Sequence, residues 1–326
     1  VRSHDPLPLH LGTEFSAGQA MAAGVSRKRI RSEDLARPFY GARSLASWQQ
    51  SAAAQPTDPF ERQRMHRVTR ARQYAPLLRP THFFSHETAA ALYGAPLPLL
   101  FDDAGVVEEL DQLDLHVSVL GRGAIPRTSG IVHHRAQPSM TVVRQVKGMP
   151  VSSAASTWAS LGMLPLSDLI ALGDYFARRW RAGVGRRSAG RPPLASIDQL
   201  RRALDAGRRI GAPNLREALA HIREDSWSPR ESALRYLLVQ GGLPEPELNV
   251  DLFDSKGAFP GCVDMLYREQ HVIVEYLGML HGASWARDVE RLAALRAAGW
   301  VVIEVTAPLL AHPVELVRRV RAALTR

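Results

Sequence analysis

GCVDMLYREQHVIVEYLGMLHGASWARDVERLAALRAAGWVVIEVT, residues Gly261 to Thr306, is the stretch on which the fold turns. Two apolar runs each carry one carboxylate where period-two alternation predicts a buried face: Asp264 in CVDMLY, and Glu275 in HVIVEYL, in step with Ile273 and Leu277. An ionised carboxylate on an apolar strand costs on the order of several kcal/mol unless positive charge compensates it. A bound cation is therefore the expected partner, and the stretch is a candidate metal site.

Outward from these runs, the order of elements follows from their punctuation. Ser228-Pro229-Arg230-Glu231 predicts a helix through about Gln240, with Ser228 as N-cap, Pro229 in the first turn and Gly241-Gly242 at its end. Leu248 to Phe253 reads as a strand, and Asp254 to Gly257 as a turn into the strand of Asp264. A helix capped by Ser284 should run to about Ala298, followed by Gly299, a strand from Trp300 to Val305 and a last helix from Pro313 to Leu324. The expected order is helix, three strands, helix, strand, helix.

The residues from Ser228 to Arg326 resemble the PD-(D/E)XK nuclease superfamily, in its branch similar to very-short-patch-repair endonucleases. The resemblance is carried by an Asp about ten residues before Glu275-Tyr276-Leu277-Gly278, then His281, the Arg287-Asp288-x-x-Arg291 helix and Gly299-Trp300-x-Val302-Ile303-x-Val305-Thr306. It implies an αβββαβ core and a magnesium or manganese ion held by Glu231, Asp264 and Glu275. It also implies phosphodiester hydrolysis on DNA, in defence or repair, with Asp264, Glu275 and His281 as the catalytic set. The chain departs from that pattern at Leu277, which stands where the superfamily has Lys and this branch Asp, and at Met279 and Leu280, which replace polar residues. Leucine neither binds metal nor stabilises an anion. Two readings follow: a magnesium-dependent nuclease, or a non-enzymatic DNA-binding regulator whose nuclease-like part is a scaffold. Local readings compete as well, since Glu231 three residues after Ser228 could close a capping box and Asp288 with Arg291 could be a surface ion pair.

Composition bounds the rest. At 326 residues, 45% hydrophobic and 22% charged, the chain has the make-up of a water-soluble globular protein of two or three domains. Its single cysteine, Cys262, excludes an internal disulfide, and with no signal peptide or membrane-length run legible, a cytoplasmic location is the expectation. The net charge of +9 is uneven: from Ser228 onward there are 11 basic and 12 acidic residues, so the first 227 carry +10. Attraction for nucleic acid is thus expected to come from upstream.

Upstream, residues 15 to 43 read as helix, turn, basic helix and hairpin, the layout of a reduced winged helix, with Arg27, Lys28, Arg29, Arg31 and Arg43 as candidate DNA contacts. This head resembles abortive-infection-type antitoxins, a resemblance that implies a repressor beside a toxin partner. Phe60 to Leu78 has helical spacing, and Ser85-His86-Glu87-Thr88 caps a helix ending at Gly94. Alternation from Leu113 to Ser153 predicts a small antiparallel sheet, in which His133 and His134 point to opposite faces and cannot share one metal. Helices over Ser153 to Leu161 and Leu166 to Arg179 should pack on it, and Arg181 to Pro193 reads as a linker. The expected organisation is α/β and multi-domain: a winged-helix-like head with linker over 1–59, an antitoxin-like α+β domain over 60–180, a basic connector over 181–227 and the endonuclease-like domain over 228–326.

Overall fold

The structure, a computed structural model, describes residues 5–45, 56–102, 104–107, 113–186, 188–253, 257, 259, 261–278 and 283–326, the side chains of 283–287 excepted. It is of the α/β class, with helices packed on mixed sheets. The chain forms two compact units, Val1–Gly162 with Arg202–Ile210, and Met163–Arg201 with Gly211–Arg326. The boundaries expected at 59, 180 and 227 all fall inside these units.

In the first unit, β1 (Glu14–Ser16), α1 (Ala17–Ala22), α2 (Arg27–Ile30), β2 (Leu35–Ala36) and β3 (Ala42–Leu45) form the head, with strand order β1-β3-β2. Ser16 and Ser26 cap the two helices, and Phe15, Ala20, Ile30 and Leu35 make a core of their own. The head does not stand alone. Phe39 and Ala42 are buried with Val68, Tyr74 and Phe84, and Phe39 meets Tyr74 edge-on at 5.0 Å.

The remainder of that unit comprises α3 (Pro59–Tyr74), β4 (His82–Phe84), α4 (His86–Tyr93), β5 (Leu115–Leu120), β6 (Ile131–Ala136), β7 (Val143–Val146), β8 (Met149–Ser152) and α5 (Ala154–Ser160). Its sheet, in order β6-β5-β4-β8-β7, is mixed and not antiparallel as the alternation suggested: β5 runs parallel to β6, and β4 to β8. The cause is the ten-residue passage Gly121 to Gly130, too long for a tight hairpin, which carries the chain back so that Ile131 pairs with Leu115. The short β4, fully buried, occupies the centre.

In the second unit, α6 (Leu166–Ala177) packs with α8 (Ala212–His221) and α9 (Pro229–Gln240), while α7 (Ile197–Asp205) begins in this unit and its residues from Arg202 belong to the first. A buried ion pair joins α6 to α9: Asp174 Oδ2 accepts from Arg235 at 3.0 Å, both side chains being at most 1 % exposed. The pair lies within the packing of α6 against α8 and α9, which sets α6 with the C-terminal elements. Next come β9 (Glu247–Leu252), β10 (Gly261–Tyr267), β11 (Val272–Tyr276), α10 (Ala283–Ala297), β12 (Val301–Val305), α11 (Ala307–Leu310) and α12 (Pro313–Leu324). The sheet order is β12-β11-β10-β9, antiparallel except for the parallel β11/β12 pair. One face buries Met265, Val272 and Val274 against α9 and α12, and the other buries Leu252, Leu266 and Ile273 against Leu292 and Leu295 of α10.

The expected linker at 181–193 is a docked strap. Arg181 donates to the carbonyls of Leu248 and Asn249, both at 3.2 Å, and Arg186 pairs with Asp251. Arg178 stacks on Trp180 and on Trp227, with its guanidinium 4.0 Å and 5.1 Å from the ring centroids, and Arg186 stacks on Trp227 at 4.5 Å. The acidic balance of residues 228–326 is thus offset by upstream arginines that fold onto the same unit, a feature invisible to a count along the chain.

Candidate metal centre

Asp264 and Glu275 lie on β10 and β11, the two inner strands of the sheet, which removes edge-strand solvation as an account of them. The register Met265↔Val274 continues to set Asp264 opposite Glu275, and Met265↔Leu248 sets Asp264 opposite Asn249 on β9. Asn249, at φ 50°, is one of the few residue types that tolerates this backbone, and its side chain turns to donate to Glu231 Oε2 at 2.7 Å. The same Glu231 oxygen accepts from the Trp227 N–H at 3.0 Å. Ser228 caps α9 as expected, accepting from the Glu231 N–H at 3.2 Å, but the reciprocal arm of a capping box is diverted to Trp227 and Asn249. Glu231, Asn249, Asp264 and Glu275 therefore form one polar row at the start of α9 and across three strands.

Positive charge reaches this row from α10. Arg291 grips Glu275 with both nitrogens, at 3.0 Å and 3.2 Å, and also donates to the Cys262 carbonyl at 3.3 Å. Its contact with Asp288, at 3.5 Å, is the weaker one, so the ion pair legible along the helix is secondary to a fork that only the tertiary fold creates. Gly261 permits the approach, because a Cβ there would lie 2.7 Å from Arg291 Cδ. Asp264 accepts the Tyr276 N–H at 2.8 Å, and among the described residues no arginine or lysine pairs with it. Burial first, then the charges of Glu275 and Glu231, push its carboxyl well above the usual carboxylate range. Burial also raises Glu275, against the pull of Arg291.

The row offers oxygen donors only, the kind a hard divalent ion takes, but Glu231, Asp264 and Glu275 do not bring one ligand atom each within 4.8 Å of one another; among the described residues only a histidine trio does so. Two further readings of the loop meet the structure differently. Leu277 packs at the apolar layer of Leu252, Val263 and Ile273. His281, with Met279 and Leu280, lies outside the described residues. Cys262, half-buried against Arg186, has its thiol pushed up to about 11 by burial and is no reactive thiolate.

The five candidate DNA contacts of the head separate into two groups. Arg27, Lys28 and Arg31 are exposed. Arg29 is spent on a bidentate pair with Asp34, at 2.9 Å and 2.8 Å, and on the Asp5 carbonyl, while Arg43 donates to the carbonyls of Ile30 and Ala42. Those two hold the head together. The basic helix itself is four residues long, one turn, because Ile30 must turn into the core while Arg31 ends the helix.

Sequence reasoning missed a second cluster, in the first unit: His86, His116 and His134, with one ligand atom of each within 4.8 Å of the others. His133, its neighbour in sequence, is exposed on the opposite face, as alternation required. Ser85, expected to cap α4, makes no cap bond; its hydroxyl contacts His86 Nδ1 at 2.9 Å and accepts from Ser118 at 2.8 Å. Among the described residues no helix is long and apolar enough to cross a membrane. Comparison with family models, curated proteins and solved structures finds no match for this chain.

Proposed function

We propose that residues 228–326, within the second unit, are a PD-(D/E)XK-like domain that hydrolyses phosphodiester bonds in DNA with a magnesium or manganese ion, carried with an antitoxin-like α+β region and a reduced winged-helix head. The observation that carries this reading is the carboxylate row. A buried acid and a half-buried one on the inner strands of a sheet, the second without a cationic partner among the described residues, are an arrangement whose cost a divalent cation offsets. The order αβββαβ with one parallel pair, β11 with β12, supports it.

Asp264 and Glu275 are the residues that would hold the ion, with Glu231 assisting from α9. When bound, such an ion supplies a Lewis acid for a phosphate oxygen and an acidified water. Asn249 and the Trp227 N–H fix the Glu231 carboxylate. Arg291 is the cation beside the row, a place Leu277 cannot fill; with Glu275 engaged by metal, its guanidinium is available to a phosphate oxygen. The Arg178, Arg181 and Arg186 strap with Trp180 and Trp227 supplies positive charge and aromatic faces near Asn249 and Asp251, the combination that nucleic-acid strands bind.

The second reading, a DNA-binding regulator with a silent nuclease fold, is favoured by the Arg291 fork, which already neutralises Glu275, and by Leu277. Supercoiled plasmid incubated with the protein and magnesium or manganese separates them. Nicking that Asp264→Ala abolishes supports hydrolysis. No cleavage of duplex, single-stranded DNA or RNA, together with salt-sensitive DNA binding, supports the regulator.

A further inference from the structure

Three imidazoles from three elements meet where β4 turns into α4. His86 opens α4, His116 lies on β5 and His134 on β6. The parallel register explains the meeting: His116 pairs with Val132 and Ser118 with His134, which places both histidines on one face of adjacent strands. His116 Nδ1 and His134 Nε2 lie 3.0 Å apart, and the His134 ring stacks on His86 with centroids 3.8 Å apart. His86 is held at φ 51°, in the left-handed region that few non-glycine residues adopt. Nothing in the proposed phosphodiester chemistry uses these groups.

The cluster has the attributes of a ligand set. Each imidazole offers one nitrogen lone pair when neutral, and one ligand atom from each of the three lies within 4.8 Å of the others. Tetrahedral coordination with metal–nitrogen bonds of about 2.0–2.1 Å separates ligand nitrogens by about 3.3 Å, a few tenths more than the His116–His134 spacing. The outer partners are in place too. Glu87 lies 3.2 Å from His116 Nε2 and Ser85 Oγ 2.9 Å from His86 Nδ1, while His116 Nδ1 faces His134 Nε2. Glu87 also offsets the buried Arg67, so its charge serves both. His86 and His134 line a cavity of about 300 Å³ with Ser118, Ser152 and Arg209, room for a water or small anion as fourth ligand.

The geometry points to a zinc(II) site on His86, His116 and His134, with its fourth position open to that cavity. Imidazole nitrogen suits a borderline ion, whereas the carboxylate row of the second unit suits a hard one, so the two sites select different metals. The site is independent of the nuclease reading and stands or falls by itself.

The test uses the untagged full chain, stripped with chelator, and titrates zinc against a chromophoric chelator, with cobalt(II) as a spectroscopic stand-in. One zinc per chain at micromolar affinity or tighter is expected, and cobalt should give the intense visible bands of a tetrahedral, nitrogen-rich site. His134→Ala and His116→Ala should each weaken zinc by more than the roughly 10–100-fold that a lost outer partner costs. His133→Ala and Asp264→Ala should bind as the parent does. The cobalt spectrum of the parent decides the matter even if a histidine variant fails to fold. Absence of stoichiometric binding, weak octahedral bands, or zinc that survives both histidine changes and leaves with Asp264→Ala overturns the proposal.

Discussion

The carboxylate row of the second unit and the histidine trio of the first gather donors in opposite ways. The row collects charge. Glu275 and Glu231 raise the cost of Asp264, Glu231 raises that of Glu275, and Arg291 pairs with Glu275 while acting on Asp264 only through space. The trio collects neutral groups, whose burial is cheap because a depressed pKa removes the charge before it is desolvated. Charge that costs energy stands out in an apolar run; neutral rings do not. The lesson is that the visible site is the expensive one, and the inexpensive one needs coordinates to be found.

The comparison can be broken at several points. The largest effect is expected within the second unit at Arg235, whose removal strands Asp174, a buried acid that has the dedicated partner Asp264 lacks. Arg235→Ala should destabilise that unit by about 3–5 kcal/mol in denaturant unfolding; a loss under about 1 kcal/mol would mean that buried acids here are cheap and the argument for the row is void. Next, Asp264→Ala should reduce metal-dependent nicking by roughly 10²-fold or more, read on plasmid gels against the parent. Without metal the same position should behave in reverse. Asp264→Asn removes a carboxylate whose folded pKa lies above its unfolded one, so the metal-free protein should gain stability near pH 7, read in denaturant unfolding. The sign fixes the pH profile: between the ordinary and the raised pKa the folded state holds more protons, so stability falls as pH rises there, and the Asn variant should flatten that slope.

Smaller effects sharpen the picture. Ser228→Ala should cost about 0.5–2 kcal/mol, since its hydroxyl caps α9 and sets the first turn that carries Glu231. Lys28→Ala in the head should lower DNA affinity uniformly across sequences and reduce the salt slope by about one, whereas Arg29→Ala should show in thermal unfolding instead, because Arg29 holds Asp34. Equal effects of the two on binding, with none on unfolding, would return Arg29 to the DNA-contact group.

Much of the second unit was legible residue by residue. Ser228, Pro229 and Gly241 bound α9 as capping rules require, and α12 runs from Pro313 to Leu324 as expected, because these ends depend on local chemistry. Asp264 and Glu275 were legible because they interrupt apolar strands. The i,i+3 pair of Arg291 with Asp288 is present, but the closer partner of Arg291, Glu275, is 16 residues away in sequence and has no local signal. The strap at 181–193 looked like a linker by composition; tryptophan and arginine stacking, a matter of partners and not of content, docks it. The antiparallel expectation failed on β5 and β6, where alternation sets which face a residue takes and says nothing of strand direction.

What the chain determines by itself is therefore local: where helices begin and stop, which faces are apolar, and that two acids sit where acids are costly. These depend on neighbours a few residues apart, whose geometry the backbone fixes. Which distant groups meet was decided by the tertiary structure alone. Arg291 reaches Glu275 only because α10 lies across β11, and His86 reaches His134 only because β5 and β6 run parallel beside the turn into α4. Register and packing set those meetings, and both are global properties in which burial of the whole apolar surface outweighs any single pair.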